Sequence, residues 1–441
     1  MTDRDNEIRS KRRDFLKRSA GASAGALLPW IAPRSARAAT TIKLGALIPL
    51  SGSQATTGDL LKNGMQLAVD IANNRTGGVD LKMAQWDGIP GLQGAKVEVI
   101  WGDTRAQAAV GADLARRMIE DQKVVGLIGS YNSDVTAAVS TVAERMKVPM
   151  INAASALPGL TKRNLKYFFR VTPHQETFVD EAYRFLKGLQ EGKSPGVPAM
   201  KGNRIAIAVE TSEIGRLYAE LNEQLAKRHG YEIIAAPVRF KMGSADLTSE
   251  IQALKALNPD ILLAKMGVSD QILFTKTMKR EGFAAKVYYV DNYGASDPNY
   301  VRTLGSDADN LLVHSSFSSK LLSKPITRQI NDLFVKKTKL PLTDVPARAF
   351  TAMQVWMEIL NKAGSTDADR LVSAAETFVL PNEETIMHWA GVNFVNTDLG
   401  DTHQNALGSG LALQYQKGVG EIVWPFHLAT AKLVYPFQFA A

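Results

Sequence analysis

From Ile42 onward, short runs of Val, Ile and Leu alternate with stretches whose apolar positions recur every three or four residues. The runs Ile42–Leu50, Val97–Trp101, Val124–Ile128 and Pro149–Asn152 have the near-continuous apolarity of strands buried on both faces. Leu60–Ala72, Ala106–Glu120 and Val135–Met146 lie between them with helical periodicity. A second series follows. Strands are expected at Ile205–Val209, Glu232–Val238, Ile261–Lys265 and Val287–Asp291, with helices at Phe178–Leu189, Arg216–Arg228, Leu247–Leu257 and Gln271–Arg280. Alternation of this kind predicts an α/β chain with two doubly wound sheets. The Pro- and Gly-rich stretch 191–202 is a surface loop within the second series, because strand–helix alternation resumes directly after it. After Leu311–Phe317 come three helical stretches, Ile326–Lys337, Arg348–Lys362 and Ala368–Phe378, and then a strand-rich tail. In that tail Leu411–Gln416 and Glu421–Trp424 flank Lys417-Gly418-Val419-Gly420 as a β-hairpin.

Composition narrows the class. The 441 residues are 45% hydrophobic and 22% charged, which excludes a disordered chain, and the absence of Cys removes thiol nucleophiles, thiolate metal sites and disulfide scaffolds. A formal charge of +8 suggests an acidic partner, but the first 38 residues hold nine Lys or Arg against four acids, and without them the charge falls to +3. Those residues carry Arg12-Arg13-Asp14-Phe15-Leu16-Lys17, an apolar block over 20–32 and Ala36-Arg37-Ala38. The pattern resembles a twin-arginine export signal cleaved near Ala38. The block is too short and too rich in Ala, Gly and Ser to span a bilayer of ~30 Å, so a soluble, periplasmic mature protein is expected.

Enzyme motifs are weak. Gly21-Ala22-Ser23-Ala24-Gly25 matches a nucleophile elbow but falls in the export segment with no strand before it. Gly188-Leu189-Gln190-Glu191-Gly192-Lys193-Ser194 is a phosphate loop one residue short, placed after a helix. None of the six histidines has a partner at helical i, i+4 spacing, so no metal is expected, and no dinucleotide fingerprint or basic-aromatic run points to a cofactor or nucleic acid.

The chemistry instead gathers where the strands of the first series end. Pro49-Leu50-Ser51-Gly52-Ser53-Gln54 follows the first strand, Gly129-Ser130-Tyr131-Asn132-Ser133 the third and Asn152-Ala153-Ala154-Ser155-Ala156 the fourth. Small, hydroxyl-rich loops with unpaired backbone N–H groups suit a carboxylate, and Ser53, Tyr131, Ser133 and Ser155 are candidates to meet one. Ser, Thr and Asn also cap helices that bind nothing.

The order Lys43-Leu44-Gly45-Ala46-Leu47-Ile48-Pro49-Leu50-Ser51-Gly52, Trp101-Gly102-Asp103-Thr104, Val125-Gly126-Leu127-Ile128-Gly129-Ser130, Pro149-Met150-Ile151-Asn152-Ala153-Ala154-Ser155 and Phe168-Phe169-Arg170-Val171-Thr172 resembles the leucine/isoleucine/valine-binding family of type I periplasmic solute-binding proteins. The closing hairpin, with Val423-Trp424-Pro425, is similar as well. The resemblance implies two α/β lobes joined by three crossovers, lobe one being 39–172 with 315–405 and lobe two 173–314 with 406–441. It implies a binding protein rather than an enzyme, which closes on an amino acid or related carboxylate and delivers it to an ABC permease. It places the solute carboxylate at Ser133, Ala154 and Ala156, and the ammonium at Asp291 in Val290-Asp291-Asn292-Tyr293-Gly294, beside Tyr293. Lys265 ends a neighbouring strand, where a neutral amino acid does not call for it; a solvated lysine is the ordinary expectation there, since buried lysines are rare. An exported hydrolase and a ligand-sensing regulatory protein for amides, urea or aromatic acids are the alternatives.

Overall fold

The computed structural model describes residues 41–440 except 292–294, 296, 297, 322, 398 and 399. The proposed export segment and Tyr293 therefore lie outside the described residues. The described chain builds two sheets. The first contains β1 (Thr41–Ile48), β2 (Lys96–Asp103), β3 (Gly126–Gly129), β4 (Met150–Asn152) and β5 (Phe168–Arg170), with β12 (Val379–Pro381), β13 (Gly391–Val395) and β14 (Gln404–Asn405), in the order β12-β13-β14-β5-β4-β3-β1-β2. The second runs β16-β15-β11-β10-β9-β6-β7, from β6 (Arg204–Glu210), β7 (Glu232–Ile233), β9 (Ile261–Lys265), β10 (Val287–Val290), β11 (Leu312–Ser315), β15 (Leu411–Gln416) and β16 (Val419–Trp424); β8 (Val238–Phe240) also pairs with β6.

Period-two burial turns each sheet into the centre of a three-layer lobe. In β1, Leu44, Ala46 and Ile48 join the core beneath α1 (Ala55–Asn73) and α10 (Asp344–Ala363). Leu47 faces the other way, with α2 (Ala108–Glu120) and α3 (Ser133–Met146). In β9, Ile261 and Leu263 pack with α4 (Gln175–Gln190) and α5 (Glu213–His229). Leu262 and Ala264 pack on the opposite face, against α6 (Thr248–Leu257), α7 (Val268–Arg280) and α8 (Pro298–Leu304). Two further helices, α9 (Pro325–Thr338) and α11 (Ala368–Glu376), complete the first lobe. The Gly126 of the Val125–Ser130 motif acquires a reason here: its Cβ would lie 2.4 Å from the Trp356 ring, whose Nε1 donates to the Leu127 carbonyl at 3.1 Å.

The chain passes between sheets three times, at 171–174, 316–324 and 406–410. One expected element is corrected. The run Glu232–Val238 is two short strands, β7 against Arg204 and Ile205 and β8 against Ala208–Glu210. Pro237, which has no N–H to give a ladder, stands between them. No helix among the described residues is long and apolar enough to cross a membrane.

Candidate functional site

Parallel strands direct their carboxyl ends to one edge of each sheet, and the loops there are the candidate site. On the first sheet Asp103, at the end of β2, organises the loop after β1: its Oδ1 accepts from the N–H groups of Leu50 (2.8 Å) and Ser51 (3.2 Å), and its Oδ2 from the Ser51 hydroxyl (2.6 Å). Partial burial raises this carboxyl, but the Ser51 hydroxyl and the N–H groups of Arg105, Leu50 and Ser51 outweigh it and hold the pKa below the usual carboxylate value. The backbone of Ser53 lies in the turn Gly52–Gln54 that enters α1, and its side chain lies outside the described residues.

The loops after β3 and β4 are tied to each other. Gly129 has φ of +131°, and a Cβ there would stand 2.3 Å from the Leu47 carbonyl. The Ser130 hydroxyl donates to the same carbonyl at 2.8 Å. Ser155 is buried, with its Oγ 2.5 Å from Thr136 Oγ1, 2.9 Å from the Ser130 carbonyl and 3.0 Å from that of Tyr131. Its hydroxyl is engaged inside the first lobe and braces both loops. Half-buried Ser133 opens α3, where the first-turn N–H groups have no partner within the helix. Tyr131 is half-buried two residues before it.

Ala154 and Ala156 present their carbonyls to the protein: that of Ala154 accepts from Arg348 Nη1 at 3.1 Å and that of Ala156 from the Gln175 N–H at 2.8 Å. Arg348 went unnoticed in the sequence. It is buried on α10, pairs with Asp344 one turn earlier at 2.7 Å, and reaches Thr172 Oγ1 at 3.1 Å. Asp344 also accepts from the Ser316 N–H at 2.8 Å, so this ion pair touches two of the three crossovers. An Asp–Arg pair at i, i+4 in the first turns of a helix whose next residues are mostly apolar is the sequence signal that points to it.

On the second sheet Asp291 and Lys265 come together. Both are buried, and Lys265 Nζ lies 3.2 Å from Asp291 Oδ2, over the ring of Tyr218 at 5.8 Å. The solvated lysine expected from sequence is thus corrected, because a carboxylate one strand away makes the burial tolerable. Gln175 Nε2 donates to the same Oδ2, while Asp291 Oδ1 meets no donor among the described residues. Gln175 therefore spans the two halves, its backbone on Ala156 and its side chain on Asp291. The other acids of this edge are occupied: Glu210 accepts from the Gly267 N–H at 2.8 Å, and Asp270 from the Gly243 N–H at 3.0 and 3.1 Å. Burial, helped by nearby Asp270, raises the Glu210 carboxyl above its usual value.

The third crossover is gripped from both sides. The Gly410 N–H donates to Glu181 Oε1 of α4 at 2.9 Å, and its carbonyl faces His388 Nε2 at 3.1 Å. Ser409 Oγ lies 3.1 Å from the same nitrogen, a serine–histidine contact, yet His388 Nδ1 has no acid to orient it and burial pushes the imidazole down to about 3. An imidazole so weakly basic is a poor general base.

Two α/β lobes, three crossovers and loops of opposed strand ends define a two-lobed binding protein. Residues 41–406 match the family model described as periplasmic binding protein, and the chain belongs to that family. It is 26% identical over 421 residues to the Leu/Ile/Val-binding protein homolog 7 of Brucella suis biovar 1 (strain 1330), covering 94% of this chain and 98% of the relative. Among solved structures it resembles the branched-chain amino acid transporter substrate-binding protein LivJ of Streptococcus pneumoniae in complex with isoleucine, with a TM-score of 0.70 at 19% identity, covering 87% of this chain and 99% of that one. It also resembles a solute-binding protein of an ABC transporter from R. palustris in complex with 4-hydroxybenzoate, with a TM-score of 0.68 at 18% identity, covering 90% and 97%.

Proposed function

We propose that this protein is the extracytoplasmic solute-binding component of an ABC importer and that its lobes, 39–172 with 315–405 and 173–314 with 406–441, close on a small carboxylated solute. Branched-chain and related amino acids lead the candidates, and the solute passes to the membrane permease. The observation that carries the reading is Gln175. It joins the Ala156 carbonyl of one lobe to the Asp291 carboxylate of the other at the first crossover, which supports reading the two expected half-sites as one. In this reading the α3 N-terminus at Ser133, with Tyr131 and the loop Ala154–Ala156, receives the carboxylate, and Asp291 and Lys265 stand for the opposite wall. The His388–Ser409 pair gives a hydrolase no oriented base.

A thermal-shift panel of L-leucine, L-valine, 2-hydroxy-4-methylpentanoate, benzoate, 4-hydroxybenzoate, acetamide and urea tests the reading. A solute at roughly 100 times its dissociation constant adds about 2.7 kcal/mol of stability, so a bound carboxylate raises Tm visibly. A panel in which only the amide or urea shifts Tm removes the carboxylate site.

Residues 1–38 serve, in this proposal, as a twin-arginine signal read by the export machinery. Arg12→Lys with Arg13→Lys keeps the charge but removes both guanidinium groups, and precursor should accumulate in the cytoplasm. Unchanged periplasmic yield of the double variant would refute the twin-arginine route.

A further inference from the structure

Asp291, the acid proposed to face the solute in the second lobe, is already paired with a cation. Lys265 ends β9 and Asp291 follows β10, on the sheet face covered by α4 and α5, and they form a buried ion pair at 3.2 Å. Asp291 Oδ2 takes both the lysine and the Gln175 side chain. Oδ1 is buried and meets no donor among the described residues, so this acceptor is left for a group outside the pair. The other acids of the same edge are no substitute. Glu210 packs on the opposite sheet face, the side of Ala206 and Ala208, and holds Gly267, while Asp270 holds Gly243.

We infer that Lys265 sets the solute class and moves it, within the carboxylates, away from the amino acids that the relatives' names put first: the site accepts a carboxylate that carries a neutral donor, a hydroxyl or an amide N–H, and discriminates against one that carries an α-ammonium. The inference rests on the carboxylate-binding function proposed above. An ammonium placed on Asp291 Oδ1 brings a second positive charge beside Lys265 Nζ in a buried, weakly screened place, and the lysine offsets most of what the aspartate offers. A hydroxyl satisfies the orphaned oxygen with one hydrogen bond and adds no charge. Leaving Oδ1 unmet in a closed cleft is itself unfavourable, so a carboxylate with no donor at all binds more weakly than one with a hydroxyl.

Calorimetric titration of the purified full-length chain with three matched probes, L-leucine, L-2-hydroxy-4-methylpentanoate and 4-methylpentanoate, tests this, alongside the set L-phenylalanine, L-3-phenyllactate and 3-phenylpropanoate. The hydroxy acid of at least one set should bind roughly tenfold or more tighter than its amino acid. Lys265→Met frees the aspartate charge and should reverse the order. The double variant Lys265→Met with Asp291→Asn keeps the pair neutral and should retain the wild-type order, which keeps the test available if the single variant does not fold. An amino acid that binds more tightly than its hydroxy acid in the unaltered protein overturns the inference and leaves the carboxylate function standing. A folded protein that binds none of the six, and neither benzoate nor 4-hydroxybenzoate, overturns the carboxylate function itself.

Discussion

Arg170→Met should cost the fold about 3 to 5 kcal/mol, the range for removing one member of a buried charge network. Arg170 is wholly buried at the end of β5, and its guanidinium donates to Gln404 Oε1 (2.5 Å), the Leu157 carbonyl (2.6 Å) and Thr161 Oγ1 (2.7 Å). Asp401 stands 4.0 Å away and His174 3.8 Å from Asp401. Burial pulls the arginine down only to about 9, so it stays charged at neutral pH, and burial followed by the Arg170 charge pushes His174 down to about 4. The side chain thus ties β5, the loop after β4 and β14 together where the first and third crossovers leave the lobe. A methionine of similar length fills the space but leaves those acceptors unmet. Urea unfolding at neutral pH with an unchanged m-value reads the loss directly, and a change below about 1 kcal/mol would show that the network contributes little.

Gly410→Ala is expected to destabilise by about 1 to 3 kcal/mol, the usual cost of overpacking. A Cβ at this position would fall 2.1 Å from His314 Nε2 and 2.4 Å from Glu181 Oε2. Neither side chain can swing away cheaply, since both are buried and His314 rests 4.3 Å from the Phe178 ring. The same peptide holds Glu181 on one side and His388 on the other, so the methyl group should also weaken solute binding if the lobes close as proposed, by disturbing this crossover. Adding His314→Ala should recover part of the stability. Additive losses in the double-mutant cycle would mean that the clash is relieved some other way.

Much of the architecture was legible because buried parallel strands and amphipathic helices write their periods into the chain. Ile261–Lys265 was placed to the residue, and most helices to within a few residues. The departures have two causes, one local and one tertiary. At Pro237 one missing N–H split a run that apolarity alone presented as continuous. Lys265 read as solvated because its counter-ion, Asp291, is 26 residues away and meets it only through the β9–β10 pairing. Arg348 stayed hidden because its partners Ala154 and Thr172 are 194 and 176 residues distant. Loop residues such as Ser155 advertise a hydroxyl but not its direction, and the Thr136 contact that engages it comes from the first turn of α3. Local periodicity reports the elements; the polar pairs that shape a cleft are set by tertiary placement.

Closure of the two lobes on a carboxylate is the central claim, and small-angle scattering of the purified chain tests it most directly. Profiles are recorded alone and with saturating L-leucine, L-2-hydroxy-4-methylpentanoate and 4-hydroxybenzoate in turn. Contacts with both lobes favour the closed population, so the radius of gyration should fall with at least one of these solutes. Profiles that superimpose on that of the free protein for all three would contradict a cleft that closes on a carboxylate.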